Sequence, residues 1–388
     1  MKKLVLILVF IYSTVTLPQN NETQAIIAPQ GFGINLLNSK GNSSIDNDIS
    51  NIGFMNPASL SNFYNYSLGF SYQFSSSIDE AYIVDIGTSR KNDWMPQSAG
   101  AVFKLDDFSF GLGLGQKYNG SLDFDSIPIT TSQYPDGTGE FITVEYKTRV
   151  QSYSLSASYS FPELFDETSS LEIGFRYSYN HLKFYEKLWE LTIDESDNVG
   201  SYAIGLQYSN QISNNRILRI GFSYEIEPDF GKVYEYTNDL IYVYDPDSTG
   251  RIPAYINSKY NLVGSVPDKF NLDVSADLSE SFRLNTMITG VLWEADNDYI
   301  KNQLEFSASG IYRINDMFAP SFGFYYTDKN FDEDFFDINE KNNALFLIGG
   351  LRFNYDIFSA DLAIADSHLF SGDFRKQTIG KLAIGVHF

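Results

Sequence analysis

Apolar and small polar side chains alternate with period two in run after run of this chain, and the gaps between runs are by turns very short and long. Residues 107–117 show the pattern. Phe108, Phe110, Leu112 and Leu114 share one face, while Ser109, Gly111, Gly113 and Gly115 share the other. Successive side chains of a strand point to opposite faces, so each run is a strand with one apolar face. Tyr153, Leu155, Ala157, Tyr159 and Phe161 repeat the pattern against Ser152, Ser154, Ser156, Ser158 and Ser160, as do Leu218, Ile220, Phe222, Tyr224 and Ile226 further on. A run of about ten residues suits a tilted strand crossing a bilayer, whereas strands of soluble proteins centre on about five or six. The gaps at Asp106–Asp107, Ser279–Ser281 and Asn315–Asp316 are tight turns; 118–147, 228–268 and 328–343 are long. Tight turns on one side and long loops on the other describe an outer-membrane barrel, the closed form in which strands satisfy every backbone group inside lipid.

The expected fold is therefore all-β: a transmembrane antiparallel barrel of 14 strands over 66–74, 98–105, 107–117, 148–161, 170–184, 200–210, 216–227, 269–278, 281–293, 303–314, 317–327, 344–355, 357–365 and 377–388. Two periplasmic ends require an even count. Glu80–Arg90, interrupted by Asp85 and Gly87, is accordingly assigned to the first external loop. Aromatic residues at run ends (Tyr66, Phe74, Phe161, Tyr179, Tyr326, Tyr355) suit interfacial girdles, drawn from 32 Phe, 27 Tyr and 3 Trp. Before the barrel, Lys2 and Lys3 precede an apolar run from Leu4 to Tyr12 and a small-residue zone. That is the pattern of a secretory signal peptide, too short to span a membrane as a helix. The chain is divided into a signal peptide (1–19), an N-terminal segment (20–64) and the barrel (65–388).

The N-terminal segment lacks steady alternation yet carries Ile26, Ile27, Phe32, Ile34, Phe54, Met55 and Leu60, so it is expected to bury something. Emerging at the periplasmic mouth, it can fold into the lumen as a plug. Three places then carry a resemblance. Asn56-Pro57-Ala58 follows an Asp-containing stretch just before the first strand, Trp94-Met95-Pro96 leads into the second, and Val266-Pro267-Asp268-Lys269-Phe270 opens the eighth. In these the chain resembles the FadL/TodX family of outer-membrane transporters for long-chain fatty acids and hydrophobic compounds. The resemblance implies an N-terminal hatch in the lumen, an apolar cargo, and an exit through an inward kink of the third strand, where Gly111, Gly113 and Gly115 stand. One departure stands out: the family's long helical loop after the fifth strand is only about a dozen residues here, 186–197, which puts the external groove partly built from it in question.

Inward positions are mostly Ser, Gly and Ala, with Glu172, Arg176, Arg219, Glu225, Asp273, Asp277, Arg283, Glu305 and Arg313 among them. These charges are expected to pair across neighbouring strands, because unpaired buried charge is costly. Met287, Val291 and Trp293 turn apolar groups inward on the ninth strand. The candidate ligand pathway is thus Phe54, Met55, Asn56, Pro57, Gly111, Gly113, Gly115, Met287, Val291 and Trp293. Leu240–Tyr244, in the longest loop, are expected to form a projecting hairpin. No cysteine and a formal charge of -22 exclude thiol chemistry and argue against nucleic acid. His181, His368 and His387 show no metal-ligand spacing, so no catalytic residue, metal or cofactor is expected. The expected partners are a hydrophobic small-molecule ligand and outer-membrane lipids, and the chain is expected to act as a monomer. Passive uptake of hydrophobic small molecules leads; a general or polar-solute porin and a secretion or adhesion scaffold are the alternatives, with a barrel enzyme more distant.

Overall fold

Polar residues face inward and apolar residues outward along most of the barrel wall, the reverse of a soluble sandwich. On the strand Asp268–Asp277, for example, Leu272 is 46% exposed while Asp273 beside it is fully buried. Outward Leu, Ile and Phe meet hydrocarbon, and inward Ser, Asn and charged groups meet whatever fills the lumen. In the computed structural model, which describes residues 21–24, 31–80, 88–128, 139, 141–188, 191–213, 216–235, 239–244, 251–256, 259–293, 301–328, 343–370 and 375–388, fourteen strands close into a barrel. They are β1 (Tyr66–Glu80), β2 (Thr88–Leu105), β3 (Phe108–Pro128), β4 (Phe141–Pro162), β5 (Ser169–Leu188), β6 (Leu191–Ser213) and β7 (Arg216–Ile226). The second half comprises β8 (Asp268–Asp277), β9 (Phe282–Leu292), β10 (Gln303–Tyr312), β11 (Phe318–Thr327), β12 (Ala344–Tyr355), β13 (Phe358–Asp366) and β14 (Arg375–His387).

Every strand pairs antiparallel with its chain neighbours, and β14 pairs with β1 from Arg375 opposite Asp79 to His387 opposite Ser67. Tyr66 and Phe388 exchange backbone hydrogen bonds of 3.3 and 2.8 Å at the closing edge. The two-residue connections after β2 and β12 place Asp106 and Asp356 at φ 52 and 53. Asp is one of the few residues that tolerates the left-handed region, which explains its choice for these turns. Near the same end, outward aromatics touch in series: Tyr66 and Phe103 at 5.5 Å, Phe108 and Tyr159 at 4.7 Å, Tyr159 and Phe161 at 4.6 Å between ring centroids.

The fourteen strands start and end close to the expected positions on the tight-turn side, but β1 to β6 run further than expected on the loop side. β3, β4, β5 and β6 have 21, 22, 20 and 23 residues. Much of 118–147, expected as loop, is ladder, and 186–197 is the tip of the β5–β6 hairpin, with Leu188 opposite Leu191. Of Glu80–Arg90, assigned to the first external loop, Glu80 ends β1 and Thr88–Arg90 begin β2, while 81–87 lie outside the described residues. The physical reason is that alternation records a contrast between lipid and lumen. Above the membrane both faces of a hairpin meet water, so the sequence period fades while backbone pairing continues.

Between β7 and β8 the chain builds a second storey. Asp239–Tyr244 pairs with Arg251–Ile256, the hairpin expected around Leu240–Tyr244. Asp229–Glu235 pairs with Lys259–Ser265, and Asn21–Gln24 lies parallel on the latter. The expected signal peptide and residues 245–250 lie outside the described residues.

Residues 31–63 run inside the ring of strands as three short 3-10 turns (Phe32–Leu36, Ile49–Asn51, Pro57–Asn62) and a two-rung hairpin of Leu37–Asn38 with Gly41–Asn42. Asp48 accepts from Ser50 N and Asn56 accepts from Ala58 N, which caps the second and third turns. Nearly every residue from Gly31 to Leu60 is buried.

Candidate functional site in the barrel lumen

The N-terminal segment is fastened to the wall chiefly by polar side chains of the strands. Glu305 on β10 accepts from Phe32 N at 2.8 Å and Gly33 N at 2.7 Å. Asp273 on β8 accepts from Ser44 N at 2.8 Å and Ser44 Oγ at 2.7 Å. Arg283 on β9 bridges Asp46 at 3.0 Å and Asp277 at 2.7 Å, and Lys40 reaches Asp46 at 2.6 Å. Burial opposes ionisation of Asp46, but Lys40, Arg283 and Arg219 outweigh it and hold the carboxyl well below the usual carboxylate range. On the adjoining strands β6 and β7, Asn56 Nδ2 donates to the carbonyls of Leu206 and Phe222 at 3.0 and 3.1 Å. Ser39 donates to Asp361, and Lys381 donates to Asn51.

The expected pairing of inward charges across neighbouring strands holds for Asp277 with Arg283 on β8 and β9, and for Glu225 with Lys269 on β7 and β8. It fails for others, because the segment inside the barrel competes for the same groups. Asp273 and Glu305 bind the segment's backbone amides. Arg176 on β5 skips a strand to reach Glu225 on β7 at 2.8 Å. Glu225 and Glu227 also hold Lys117 of β3 at 2.8 and 2.5 Å, and Lys269 of β8 at 3.2 and 2.7 Å. Arg176 meanwhile donates to Met55 O at 2.5 Å. Three cations and two carboxylates thus span the lumen just above the segment.

Two apolar layers flank this network. Phe54 and Met55 pack with Leu36 and Met287 in the lower layer. The upper layer joins Val291 and Trp293 of the expected pathway to Phe32, Tyr118, Val150, Leu182, Phe184, Ile193, Phe230 and Val266. Phe32 is its floor: its ring lies 5.9 Å from Trp293, with Lys269 Nζ 5.8 Å from its centroid. Most of the upper layer was missed by sequence reasoning, although a signal was present. The inward series of β4 reads Ser158, Ser156, Ser154, Ser152 and then Val150; that of β5 reads Arg176, Ser178, Asn180 and then Leu182 and Phe184. Val150 stands opposite Leu182, so the lumen turns apolar at one height on both strands.

Gly111, Gly113 and Gly115 face the segment. A Cβ on Gly111 would meet Leu60 and Ile52, one on Gly113 would meet the backbone of Gly53, and one on Gly115 would meet the Phe54 ring. Pro57 lies against the paired backbones of Gly174 and Gly205 in the same manner. The three β3 glycines keep their ladder partners on both sides. The irregularity begins one residue further on. Pairing of β2 with β3 stops at Ser98 opposite Gly115, and beyond it β2 pairs only with β1 and β3 only with β4. Lys117 is passed over in the β3–β4 register. Side chains bridge the break instead: Gln97 Nε2 donates to Gln116 O at 3.2 Å, and Asn119 Nδ2 to Asp93 Oδ2 at 3.3 Å. Trp94-Met95-Pro96 lies within β2 beside this break, not ahead of the strand, and Trp94 packs outside on Phe74 at 4.8 Å.

The histidines sit apart: His181 beside Asn198, His368 beside Asp366, and His387 between Ser359 and Ser67. Comparison with known proteins finds no matching family model and no matching curated sequence. Solved structures do match. A FadL homologue of Pseudomonas aeruginosa aligns over 89% of this chain and 95% of its own, with a TM-score of 0.62 at 14% identity. The fold is that of the FadL-type barrel. The Ralstonia pickettii toluene transporter TbuX aligns over 92% of this chain and 98% of its own at 13% identity, with a TM-score of 0.60. The Pseudomonas putida toluene transporter TodX aligns over 90% and 97% at 12% identity, with a TM-score of 0.62.

The fastening by Glu305 gives a direct expectation. Glu305→Ala orphans two buried N–H groups, each costing about 1–3 kcal/mol. The barrel ladder does not depend on that side chain, so the cost falls on the seating of Phe32. Limited proteolysis of the purified barrel is expected to cleave near residues 31–36 in the variant and to spare them in the parent.

Proposed function

We propose that this chain is an outer-membrane channel for passive uptake of hydrophobic small molecules, long-chain fatty acids or hydrocarbons among them, with residues 20–64 acting as its hatch. The observation that carries the reading is the apolar upper layer of the lumen, closed below by Phe32. A sieve for sugars or ions needs a wet, polar lumen at that height. An apolar solute passing such a lining has its surface removed from water. The names of the solved neighbours TbuX and TodX, toluene transporters, support the same class of cargo.

The hatch leaves such a solute two ways on: past the polar fastenings to the periplasm, or sideways. Exposure to water costs roughly 0.8 kcal/mol per methylene, so a long chain favours lateral escape into the membrane. A lateral exit needs a place where the wall lacks backbone ladder, and the β2–β3 break beside Lys117 is such a place, in keeping with a perturbed third strand. In this reading Gly111, Gly113 and Gly115 admit the hatch, and the residues just above them form the door.

The test is a pair of measurements on the purified protein. In planar bilayers it is expected to stay closed to ions, and in detergent-exchanged solution to bind a radiolabelled fatty acid or toluene with burial of most of the ligand. A steady open-pore current comparable to a general porin, with no binding of either probe, would return the polar-solute reading.

A further inference from the structure

The direction in which the N-terminal segment enters the barrel follows from strand pairing. Lys259–Ser265 pairs antiparallel with Asp229–Glu235, Asp229 opposite Ser265, and these strands prolong β7 and β8 on the long-loop side. Residue numbers rising from 260 to 265 therefore run toward the barrel. Asn21–Gln24 pairs with this strand in parallel, Asn21 opposite Tyr260 and Gln24 opposite Val263, so it runs toward the barrel as well. By Phe32 the chain is inside, held by Glu305, which lies two residues from the loop-side start of β10 at Gln303. By Tyr66 it has reached the opposite end, where Phe388 and the tight turns lie. The join is feasible: six residues separate Gln24 from Gly31, a reach of about 20–25 Å, against about 17 Å for the five residues from Val263 to Asp268.

We infer that the N-terminal strand is an outer-surface element, and that the chain threads the lumen from the external mouth to the periplasmic one. This differs from a plug that folds up from the periplasm and keeps its leading end there. The strand Asn21–Gln24 is a strap: it ties the hatch, through Phe32, to the sheet formed by the longest external loop. Any protein or small molecule that engages that sheet from outside acts on the same sheet that anchors the start of the hatch. The inference rests on the outer-membrane reading only for which side is the cell exterior.

The chain has no cysteine, so single-cysteine variants report position directly. Asn21→Cys, Asn65→Cys at the tight-turn end, and Ser248→Cys between the paired strands Asp239–Tyr244 and Arg251–Ile256 are treated on intact cells with a membrane-impermeant maleimide. Asn21→Cys is expected to react like Ser248→Cys, while Asn65→Cys reacts only after the outer membrane is permeabilised. If Asn21→Cys instead behaves like Asn65→Cys while Ser248→Cys reacts on intact cells, the strap is overturned. Should Ser248→Cys also require permeabilisation, the orientation of the barrel is wrong and Asn21→Cys must then follow Ser248→Cys for the strap to stand. A second variant covers the case of a strand too shielded to label. Thr23 and Leu262 are parallel partners, and Thr23→Cys with Leu262→Cys is expected to form a disulfide in the purified folded barrel on mild oxidation. Absence of that cross-link overturns the strap whatever the labelling shows.

Discussion

Replacing Gly113 by Val is expected to leave the barrel folded and at the cell surface but to unseat the proposed hatch. A Cβ at Gly113 would stand 2.7 Å from Gly53 N and 2.8 Å from its Cα, and against Ser154 Oγ. Two of the three obstacles are backbone, so no rotamer change relieves them. Overpacking of this kind costs about 1–3 kcal/mol when the surroundings can shift, and more when they cannot. The wall has little room to shift, because Gly113 is paired with Gly100 on β2 and Ser154 on β4. The hatch is the part that yields, since Gly53 belongs to a segment held by side-chain contacts and not by a continuous ladder. Ion conductance in planar bilayers and sensitivity of cells to bulky hydrophilic antibiotics are expected to rise together, with heat-modifiable gel mobility of the barrel unchanged. A Gly113→Val protein that stays closed and transports normally would show that strand and hatch are further apart in the membrane than they are here.

The second large effect is expected from Glu225→Ala. Glu225 and Glu227 together answer Lys117, Arg176 and Lys269, all with side chains at most 8% exposed. Removing the Glu225 carboxylate leaves Lys117 and Lys269 on Glu227 and takes away the carboxylate partner of Arg176, and breaking a buried pair in this way costs roughly 3–5 kcal/mol. The loss reaches the hatch because Arg176 also holds Met55 O. The apparent unfolding temperature in detergent is expected to fall, and residues 53–57 to become accessible to protease. The double variant Glu225→Ala with Lys117→Met is expected to regain part of the loss, since it removes one of the cations that the first change leaves without Glu225. Equal stability of Glu225→Ala and the parent would mean that water reaches these groups and screens them.

How much of this was legible in the chain depends on how local the signal is. Alternation of Phe108, Phe110, Leu112 and Leu114 against Ser109, Gly111, Gly113 and Gly115 is a period written in adjacent residues, and it reports one fact: lipid on one side, lumen on the other. Repeated fourteen times with tight turns at one end, it was sufficient for closure, strand order and the tight-turn boundaries. Above the membrane that contrast is weaker, so the tips of β3 to β6 mix apolar and polar residues without a long run of period two, and the sequence alone marks them as loop.

Inside the lumen, partners are chosen across space. Nothing near Glu305 in sequence says that it will take the amides of Phe32 and Gly33, 273 and 272 residues away. Nor does Arg176 announce that it will pass over β6 to reach Glu225. The three glycines of β3 were legible as inward and unusual, yet a bend and a close approach look alike until the neighbour is present. The sequence by itself determined the barrel and which face of each strand looks inward, because those follow from short-range periodicity and the cost of unpaired backbone in lipid. Only the tertiary structure decided how the N-terminal segment is held inside the barrel and from which mouth it enters. Those outcomes are set by contacts between residues far apart in the chain, and in this lumen they are made by single polar side chains that carry no periodic signature.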